Sequence, residues 1–585
     1  MTGTATRGGT GSPTFDAGHA ALSTGDRAAL DAQLALLSER APVWAAMPVG
    51  KRLRLTEALV ASFAAVSERW VHACVTGKGE EMGTHAEGQE WTMGPFIILT
   101  YLQELQRTLQ EIQRDGRPRF RKVRVLPNGQ VSLSIYPRFA RDHLLFMLRD
   151  VEVRFQRGVR PDEVPTLTAR AYQPETQPEP GVAVVLGAGN VSSIAPTDVL
   201  DQLFTHGRVV MCKLNPVNAY LLPLLEEGFG PLVRAGFVQI TQGGAQAGQY
   251  LCAHPLVGNV HVTGSDKTFD AIVYGTGEEG ARRRAAREPR LQKPVTGELG
   301  NVTPVIVVPG PWTAADLAYQ AENIAAGIVN NAGFNCASTR VIVQHADWPL
   351  RHELTRRVHA ILRNVPARHA YYPGARDRWE QFTRAHPEAT HAAPAVREGA
   401  LPWTLIENVP PDADDMVFSV EPFCSVVSET ALAAANVAQF LDAAVAFVNE
   451  RVWGTLCIGL IVHPATLRNA STRAALERAI DRLRYGTISV NLTPNIPYGI
   501  ARVPWGAYPG NEPHDVGSGI GWAHTPLMLE GVEKTVLRAP FRLPLRPSWF
   551  PSNRTYAEQG RLATAFLTHP TPGVMARLAR AVSRA

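Results

Sequence analysis

The chain has 585 residues, with 58 Lys and Arg against 53 Asp and Glu, and 45% of its residues are hydrophobic. That length is too great for one compact core, so two or three domains are expected. The formal charge of +5 is small for this length and argues against a nucleic-acid binder, and no run reaches the roughly 18 apolar residues of a membrane span.

Six scattered cysteines include no C-x-x-C pair, which argues against a disulfide framework and against a cysteine zinc site. Reduced thiols predict a cytoplasmic protein, and no metal site is predicted. Residues 1–25 are predicted to be disordered. Their first half, Met1 to Pro13, is rich in Gly and Thr and lacks the apolar run of a signal peptide.

Helical periodicity dominates residues 26–119, where apolar residues recur at spacings such as Leu59 and Phe63. Within 120–158 the period changes to about two, and a Pro-Asn-Gly turn at 127–129 separates two short apolar runs. This pattern predicts a β-hairpin. A protruding hairpin and an internal sheet edge both fit it.

Strand and helix patterns alternate from 181 to 263 and again from 303 to 344, which predicts two parallel α/β sheets. Further apolar strands are expected at 418–428 and 456–462. A basic amphipathic helix at 574–582 is expected to pack on the body of the protein.

The most specific chemical signal combines one cysteine with one carboxylate. Cys336 follows Gly333-Phe334-Asn335, and Glu298 lies among glycines 38 positions earlier (336 − 298). A thiol nucleophile and a carboxylate base are the minimum equipment for covalent chemistry on a carbonyl.

Asn190 follows the turn Leu186-Gly187-Ala188-Gly189 at a strand-to-helix junction, and three interpretations stay open. A Gly-rich turn before a helix can bind phosphate, although the third glycine of the dinucleotide fingerprint is missing. The Asn190 amide can instead donate to an oxyanion, or the residue can be an ordinary turn asparagine.

Three further positions have both a chemical and a structural interpretation. Lys213 ends a buried strand, where ligands dock in open α/β sheets, but it can equally be a solvated strand end. Gly264-Ser265 can hold a pyrophosphate or simply cap the next helix. In the strand-like stretch Glu421-Pro422-Phe423, the carboxylate can bind ribose and the ring can pack on a flat group, or both can be structural.

Taken in order, these stretches resemble the motif series of the aldehyde dehydrogenase superfamily, over about 181 to 536. The stretches around Glu298 and Cys336 are the most specific, and 486–491 and 504–508 resemble the family's C-terminal motifs.

The resemblance implies an α/β fold with two parallel α/β domains, for cofactor and catalysis, and a β-hairpin oligomerisation element. The implied boundaries are 26–119 and 159–293 for the cofactor domain, 120–158 for the hairpin and 294–493 for the catalytic domain. Residues 494–585 would form a return segment, an oligomerisation strand near 532–545 and a C-terminal tail.

The resemblance also implies roles for individual residues. Cys336 would attack an aldehyde carbon, and Asn190 with the Cys336 N–H would hold the oxyanion. Glu298 would activate the water that hydrolyses the thioester. The thiolate needs a lowered pKa, which a bound nicotinamide cation or a helix N-terminus can supply. The cofactor, NAD or NADP, would contact Lys213, Gly264, Ser265, Leu299, Glu421 and Phe423.

The sequence departs from the family pattern at Phe334, Phe269 and Pro216, which replace a Gln, a Gly and a ribose-binding Glu. Loss of that Glu puts a strict NAD preference in doubt. Phe334 beside the nucleophile predicts an apolar or aromatic aldehyde as substrate.

Three functions are compatible with the sequence. The first is a hydrolytic aldehyde dehydrogenase, which retention of Glu298 favours. The second is a CoA-acylating aldehyde dehydrogenase or acyl-CoA reductase. The third is a non-catalytic binding protein on the same fold. The resemblance implies a homodimer or homotetramer.

Overall fold

The computed structural model describes residues 10–13, 22–120, 122–136, 150–176 and 179–585. Part of the predicted hairpin element (137–149) and most of the predicted disordered N-terminus (1–9 and 14–21) lie outside the described residues. The predicted α/β class is confirmed, because helices surround two large sheets that are mainly parallel.

Four helices, of which the third has only 9 residues, open the fold, as the apolar periodicity predicts. Ser23 begins the first with a capping box, in which its hydroxyl accepts from the Asp26 N–H and the Asp26 carboxylate accepts in return. Gly116 ends the last one in a left-handed conformation, with φ +74°. The helices are α1 (Thr24–Ala45), α2 (Val49–Gly77), α3 (His85–Met93) and α4 (Pro95–Asp115).

The first sheet has six strands, and the five strands between 182 and 298 pair with one another in parallel, whereas the sixth, at 519–520, is antiparallel to its neighbour. Its central strands are buried apolar runs because helices cover both faces. In spatial order the strands are β19 (Gly519–Ile520), β8 (Val295–Glu298), β7 (Val257–Thr263), β4 (Val182–Leu186), β5 (Val209–Lys213) and β6 (Val238–Thr241). The helices of this unit are α5 (Ile194–Phe204), α6 (Leu222–Gly228), α7 (Gly230–Arg234), α8 (Ala245–Ala253), α9 (Asp266–Val273) and α10 (Gly277–Ala286).

The second sheet has eleven strands and contains the predicted hairpin. In spatial order they are β1 (Lys122–Val125), β2 (Val131–Tyr136), β3 (Asp150–Phe155), β21 (Val532–Arg538), β17 (Thr487–Val490), β16 (Cys457–Ile461), β9 (Thr303–Val307), β10 (Thr339–His345), β15 (Val426–Leu432), β14 (Trp403–Ile406) and β12 (Thr390–Ala392). Two short pairs stand apart, β11 (Arg368–His369) with β13 (Ala400–Leu401) and β18 (Trp505–Gly506) with β20 (Trp522–Ala523). The helices that follow 294 are α11 (Ala314–Val329), α12 (Arg351–Leu362), α13 (Ala375–Ala385), α14 (Met416–Ser419), α15 (Val437–Glu450), α16 (Ala470–Arg482), α17 (Ile496–Gly499), α18 (Tyr556–Thr568) and α19 (Pro572–Ser583).

The hairpin strands are an internal sheet edge, one of the two interpretations that the sequence left open. β3 pairs with the C-terminal strand β21, and β21 pairs in parallel with β17 of the second sheet. The hairpin and the late strand therefore extend the sheet of their own chain. Their role in oligomerisation stays a prediction.

The predicted strand at 418–428 is wrong in its first half. Asp415 caps the short helix α14, and β15 begins only at Val426. Pro422 and Phe423 between them cannot extend a strand, because Pro lacks an N–H and Phe423 has φ +42°. Glu421 and Phe423 therefore lie on a bend and not on a strand.

The predicted disorder of the N-terminus is also wrong for residues 10–13. Gly11 forms a parallel β-bridge with Val420, and both Gly11 and Ser12 are buried. The predicted C-terminal helix is confirmed as α19, and α18 packs on α3, where the Tyr556 hydroxyl lies 2.6 Å from Thr92 Oγ1. Along the described parts of the chain, no helix has the length and apolar character needed to cross a membrane.

Candidate active site

The predicted site residues meet at the carboxyl edge of the first sheet, facing the loop before β10. Strands β4, β5, β7 and β8 all end at this edge, which is where ligands bind in open α/β sheets. A cavity of about 30 Å³ lies there. Seven of the predicted site residues line it: Asn190, Gly264, Glu298, Leu299, Cys336, Glu421 and Phe423. Lys213 and Ser265 lie outside this cavity.

Cys336 and Glu298 are in direct contact. The Cys336 thiol donates to Glu298 Oε1 across 3.6 Å, and Trp505 Nε1 donates to the same oxygen across 2.5 Å. The second oxygen, Oε2, is buried and has no hydrogen-bond partner among the described residues. Glu298 is thus held against the thiol by Trp505 and keeps one acceptor free.

The pKa of the Cys336 thiol differs from the sequence-based expectation, which was a lowered value. Burial, and then the neighbouring Glu298, raise the pKa of Cys336 well above its ordinary value. No helix begins at Cys336, because a 3₁₀ turn (Asn330–Gly333) precedes it and β10 starts only at Thr339. Burial also raises the pKa of Glu298. The thiol is therefore protonated at neutral pH, and Glu298 is placed to accept its proton.

The turn before Cys336 has an unusual backbone. Asn331, Ala332 and Gly333 are left-handed in succession, with φ of +50°, +57° and +80°. Buried Arg340 fixes this turn, because its guanidinium donates to the carbonyl oxygens of Gly333 and, across 2.6 Å, of Cys424. Consecutive left-handed residues are costly and persist only where surrounding contacts hold them.

We expect Gly333→Ala to disturb the nucleophile more than Gly129→Ala does. Both glycines have φ near +80°, so each alanine carries the left-handed penalty of about 1–2 kcal/mol. A Cβ at Gly333 would also collide with the Cys424 carbonyl, whereas nothing lies near Gly129. The melting temperature and the rate of thiol acylation by p-nitrophenyl acetate measure the difference. Equal effects of the two variants would contradict the steric argument.

Asn190 is held at both ends. Its side-chain Nδ2 donates to the carbonyl oxygen of Phe334, two residues before the nucleophile, across 3.1 Å. Its own carbonyl oxygen accepts from Lys78 Nζ at 3.1 Å, Asn331 Nδ2 at 3.0 Å and the Tyr371 hydroxyl at 3.2 Å. Three donors on one carbonyl fix the position of the Asn190 amide beside Cys336.

Lys78, the lysine in this network, was not predicted from the sequence. Lys78 Nζ forms a 2.7 Å ion pair with Glu90, and the two side chains are 3% and 4% exposed. Burial opposes the charge on Lys78, but Glu90 together with Tyr371 and Cys74 outweighs burial and holds the pKa of Lys78 above its ordinary value. A permanent cation therefore lies behind the Asn190 carbonyl.

Lys213 and Ser265 do not line the cavity that holds Cys336, and a second, larger cavity is lined by other residues. Lys213 ends β5, and burial lowers its pKa to about 8. Ser265 caps α9, accepting from the Thr268 N–H across 3.0 Å. A groove of about 300 Å³ opens between α8 and α9, where Tyr250 and Ile272 are among the lining residues. Gly264 leaves the approach open, because a Cβ there would have no neighbour closer than 4.0 Å.

Residues 10–13 reach into the site and bind Glu421. Ser12 Oγ donates to Glu421 Oε2 across 2.8 Å, and the Ser12 N–H donates to Asp266 Oδ1 across 2.9 Å. Lys267 Nζ donates to the Thr10 carbonyl oxygen across 2.7 Å. Burial raises the pKa of Glu421 to about 7, and its Oε1 has no partner among the described residues.

The aromatic residues do not all face the nucleophile. Phe334 packs on Tyr371, with ring centroids 4.8 Å apart, and does not line the cavity that holds Cys336. Tyr372 and Phe423 do line it and pack on each other at 5.0 Å. Phe334 therefore does not line the cavity beside the nucleophile, whereas Tyr372 and Phe423 do, and the substrate class stays a prediction.

A second buried network lies behind Glu298, and the sequence analysis missed it. His524 Nε2 lies 2.6 Å from Asp198 Oδ1, and His261 Nε2 lies 3.4 Å from the same oxygen. Thr263 Oγ1 donates to Asp198 Oδ2 across 2.9 Å. The available signal was the two carboxylates, Asp198 and Asp201, in helix α5, all of whose residues are buried.

Sequence comparison identifies relatives over part of the chain. The aldehyde dehydrogenase family model matches residues 172–386. Human 4-trimethylaminobutyraldehyde dehydrogenase is 32% identical over 174 residues, which are 29% of this chain and 32% of that protein. An aminoacetaldehyde dehydrogenase of Pseudomonas aeruginosa is 26% identical over 286 residues, 46% of this chain and 50% of that protein. The chain thus spans between a third and a half of the length of these two curated relatives.

Structural comparison extends over most of the chain. Mycobacterium tuberculosis aldehyde dehydrogenase complexed with NAD+ has a TM-score of 0.59 and 17% identity, covering 89% of this chain and 92% of that one. The NADP-dependent glyceraldehyde-3-phosphate dehydrogenase of Bacillus halodurans, complexed with NADP, has a TM-score of 0.57 and 15% identity, covering 88% and 91%. These likenesses show a shared fold. Residues 172–386 therefore match the aldehyde dehydrogenase family model, and most of the chain has the fold of these dehydrogenases.

Proposed function

We propose that the protein oxidises an aldehyde to a carboxylic acid with NAD or NADP, through a thioester on Cys336. The observation that carries this proposal is the 3.6 Å contact between the Cys336 thiol and Glu298, in one cavity with Asn190. A nucleophile, a base within reach of its proton and an amide donor beside it are the groups that acyl chemistry requires.

In the first half-reaction, Glu298 accepts the thiol proton as the Cys336 sulfur bonds to the aldehyde carbon. The Asn190 amide donates to the oxygen that becomes negative, and a donor of this kind is worth about 100- to 1,000-fold in rate. A nicotinamide cofactor, when bound, supplies the acceptor for the hydride that leaves the carbon. Glu298 releases the thiol proton to solvent before the second half-reaction. It then takes a proton from water as the new C–O bond forms, and the C–S bond breaks as the Cys336 sulfur takes up the proton of the new carboxylic acid.

The residues around the two cavities fit a dinucleotide. The buried, unpaired Glu421 Oε1 needs a hydrogen-bond donor, which a ribose hydroxyl supplies. Lys213 lies near Cys252, which lines the groove between α8 and α9, and apolar side chains of that groove, such as Ile272 and Leu291, suit a flat ring. Pro216, where the family often has Glu, removes a negative charge that would repel a 2′-phosphate. This supports use of NADP as well as NAD.

The experiment follows reduced nicotinamide formation by the purified full-length protein. Aliphatic, aromatic and cationic aldehydes, including 4-trimethylaminobutyraldehyde, are offered with NAD or NADP, each with and without CoA, beside Cys336→Ala. We expect turnover without CoA that Cys336→Ala abolishes. Turnover only with CoA would move the function to the acylating class. Absence of turnover together with absence of cofactor binding would favour a non-catalytic protein.

Within this panel we expect apolar aldehydes to be the better substrates, because the rings of Tyr372 and Phe423 line the cavity. Faster turnover of small polar aldehydes would contradict that expectation. We also propose a cytoplasmic homodimer or homotetramer, in keeping with six free cysteines. Light scattering of the eluted protein measures the assembly.

Cofactor binding should be tightest between about pH 7 and 8, the pKa values of Glu421 and Lys213. Below the first value Glu421 is protonated and cannot accept two hydroxyl protons, and above the second Lys213 loses its charge. Fluorescence titration with NAD and NADP on both sides of this window measures the dissociation constant. Glu421→Gln should remove the acidic limb and Lys213→Met the alkaline limb. A dissociation constant that does not change with pH would contradict both assignments.

A further inference from the structure

Three ionisable side chains form a buried cluster behind Glu298, the proposed base. Asp198, His261 and His524 are each at most 4% exposed, and the two imidazoles share one carboxylate oxygen, at 3.4 and 2.6 Å. His261 Nδ1 is paired with Thr296 Oγ1 at 2.9 Å. His524 Nδ1 has no partner among the described residues, although it is buried.

This cluster adjoins Glu298. Thr263, which donates to Asp198, is paired in register with Glu298 on the neighbouring strand β8, and His261 is paired with Thr296 two residues earlier. Glu298 Oε2 and His524 Nδ1 are both buried and unpaired. Buried polar atoms normally have a hydrogen-bond partner, so each of these two atoms is open to one.

The groups that face the cluster come from several elements. Asp201 of α5 is bonded to Tyr101 of α4 and paired with the half-exposed His206. The Tyr498 ring packs on His524 at 5.3 Å and on the Trp505 ring at 5.5 Å. Burial disfavours charged imidazoles, but Asp198, with Asp201 and Glu298, outweighs burial and raises the pKa of both His261 and His524 above the ordinary value.

We propose that the Asp198, His261 and His524 cluster takes over the proton that Glu298 removes from the hydrolytic water. Glu298 gains that proton as the hydroxide oxygen bonds to the thioester carbon, and the C–S electrons return to the Cys336 sulfur. The proton then passes from Glu298 to His524 Nδ1 and from the cluster to solvent, while the new carboxylic acid gives its proton to the Cys336 sulfur. The next cycle therefore begins with a thiol and with a Glu298 carboxylate that can accept its proton. The cluster acts through Glu298, so its members are positioning residues, and the inference rests on the proposed function.

The test uses p-nitrophenyl acetate, which acylates a cysteine without a cofactor or a cognate aldehyde. Its burst of p-nitrophenolate reports formation of the acyl-enzyme, and the steady state reports water attack. We expect His524→Gln to keep the burst and to slow the steady state by about 10- to 100-fold, as loss of an outer-shell partner typically does. Added imidazole should restore part of the rate to His524→Ala, and the pH dependence of the steady state should shift in His524→Gln.

His206→Gln is the matched control, since His206 pairs with Asp201 of the same helix but lies away from Glu298. It should leave burst and steady state unchanged. If His524→Gln melts early, His261→Gln tests the far side of the cluster by the same readout.

Two outcomes would overturn the relay alone: an unchanged steady state and pH profile in both variants, or an equal loss of burst and steady state, which marks a structural role. A wild-type protein without any burst would overturn the proposed function as well.

Discussion

Glu298→Gln is expected to retain a p-nitrophenolate burst of about one equivalent while its steady-state hydrolysis falls by about 100- to 10,000-fold. The amide cannot accept a proton from water, so the acyl group stays on Cys336. The burst itself should be slow at neutral pH, because the high thiol pKa leaves little thiolate without a base. It should quicken as the pH rises, since hydroxide then removes the thiol proton.

Stopped-flow absorbance separates the two phases, and mass spectrometry of the quenched variant should show one acetyl group on Cys336. Glu227→Gln, an exposed surface carboxylate, is the control and should behave as wild type. If Glu298→Gln hydrolysed the ester at the normal steady-state rate, another group would have to be the base.

Lys78→Met is expected to lower the free energy of unfolding by about 3–5 kcal/mol, the usual cost of removing one partner of a buried ion pair. Glu90 would be left as a buried charge, since its partner at 2.7 Å is gone. The Asn190 carbonyl would also lose one of its three donors. We therefore expect slower acylation of Cys336 in the protein that remains folded. Urea unfolding and the ester burst measure the two effects.

Arg69→Met tests the same chemistry on the surface. Arg69 and Glu227 are paired at 2.5 Å but are 56% and 49% exposed. Loss of this ion pair should change the free energy of unfolding by at most about 1 kcal/mol. Equal destabilisation by the two variants would show that burial of Lys78 does not decide its contribution. Lys78→Met combined with Glu90→Gln should recover part of the loss, because the uncompensated charge is removed.

Much of the fold is readable from the chain because parallel strands buried on both faces are unbroken apolar runs. The stretch near 418–428 shows where this fails. Its apolar residues are split by a bend that distant contacts impose. Buried Arg378 donates to the carbonyl oxygens of both Pro422 and Phe423, across 3.1 Å in each case. Local composition does not contain that contact.

The candidate site, like the fold, could be predicted from the sequence only in part. Cys336, Glu298 and Asn190 stand in short stretches whose chemistry is visible residue by residue. Asp198 and His524 are 326 positions apart, and neither stretch alone predicts the other. Phe334 illustrates the reverse error, because closeness in sequence to Cys336 did not place its ring in the cavity. Side-chain direction depends on the left-handed turn at Asn331 to Gly333, which amino-acid types alone do not specify.

Because Ser12 donates a hydrogen bond to Glu421, residues 10–13 compete with any ligand for this carboxylate. Any ligand that binds Glu421 Oε2 must first displace residues 10–13, and its measured affinity is reduced by the fraction of molecules in which the segment is displaced. The linkage is reciprocal, so a bound ligand weakens the hold of the site on this segment by the same factor. Residues 10–13 and a ligand on this oxygen of Glu421 are thereby coupled in one equilibrium. Protease sensitivity near Ser12 should therefore increase in proportion to occupancy at Glu421.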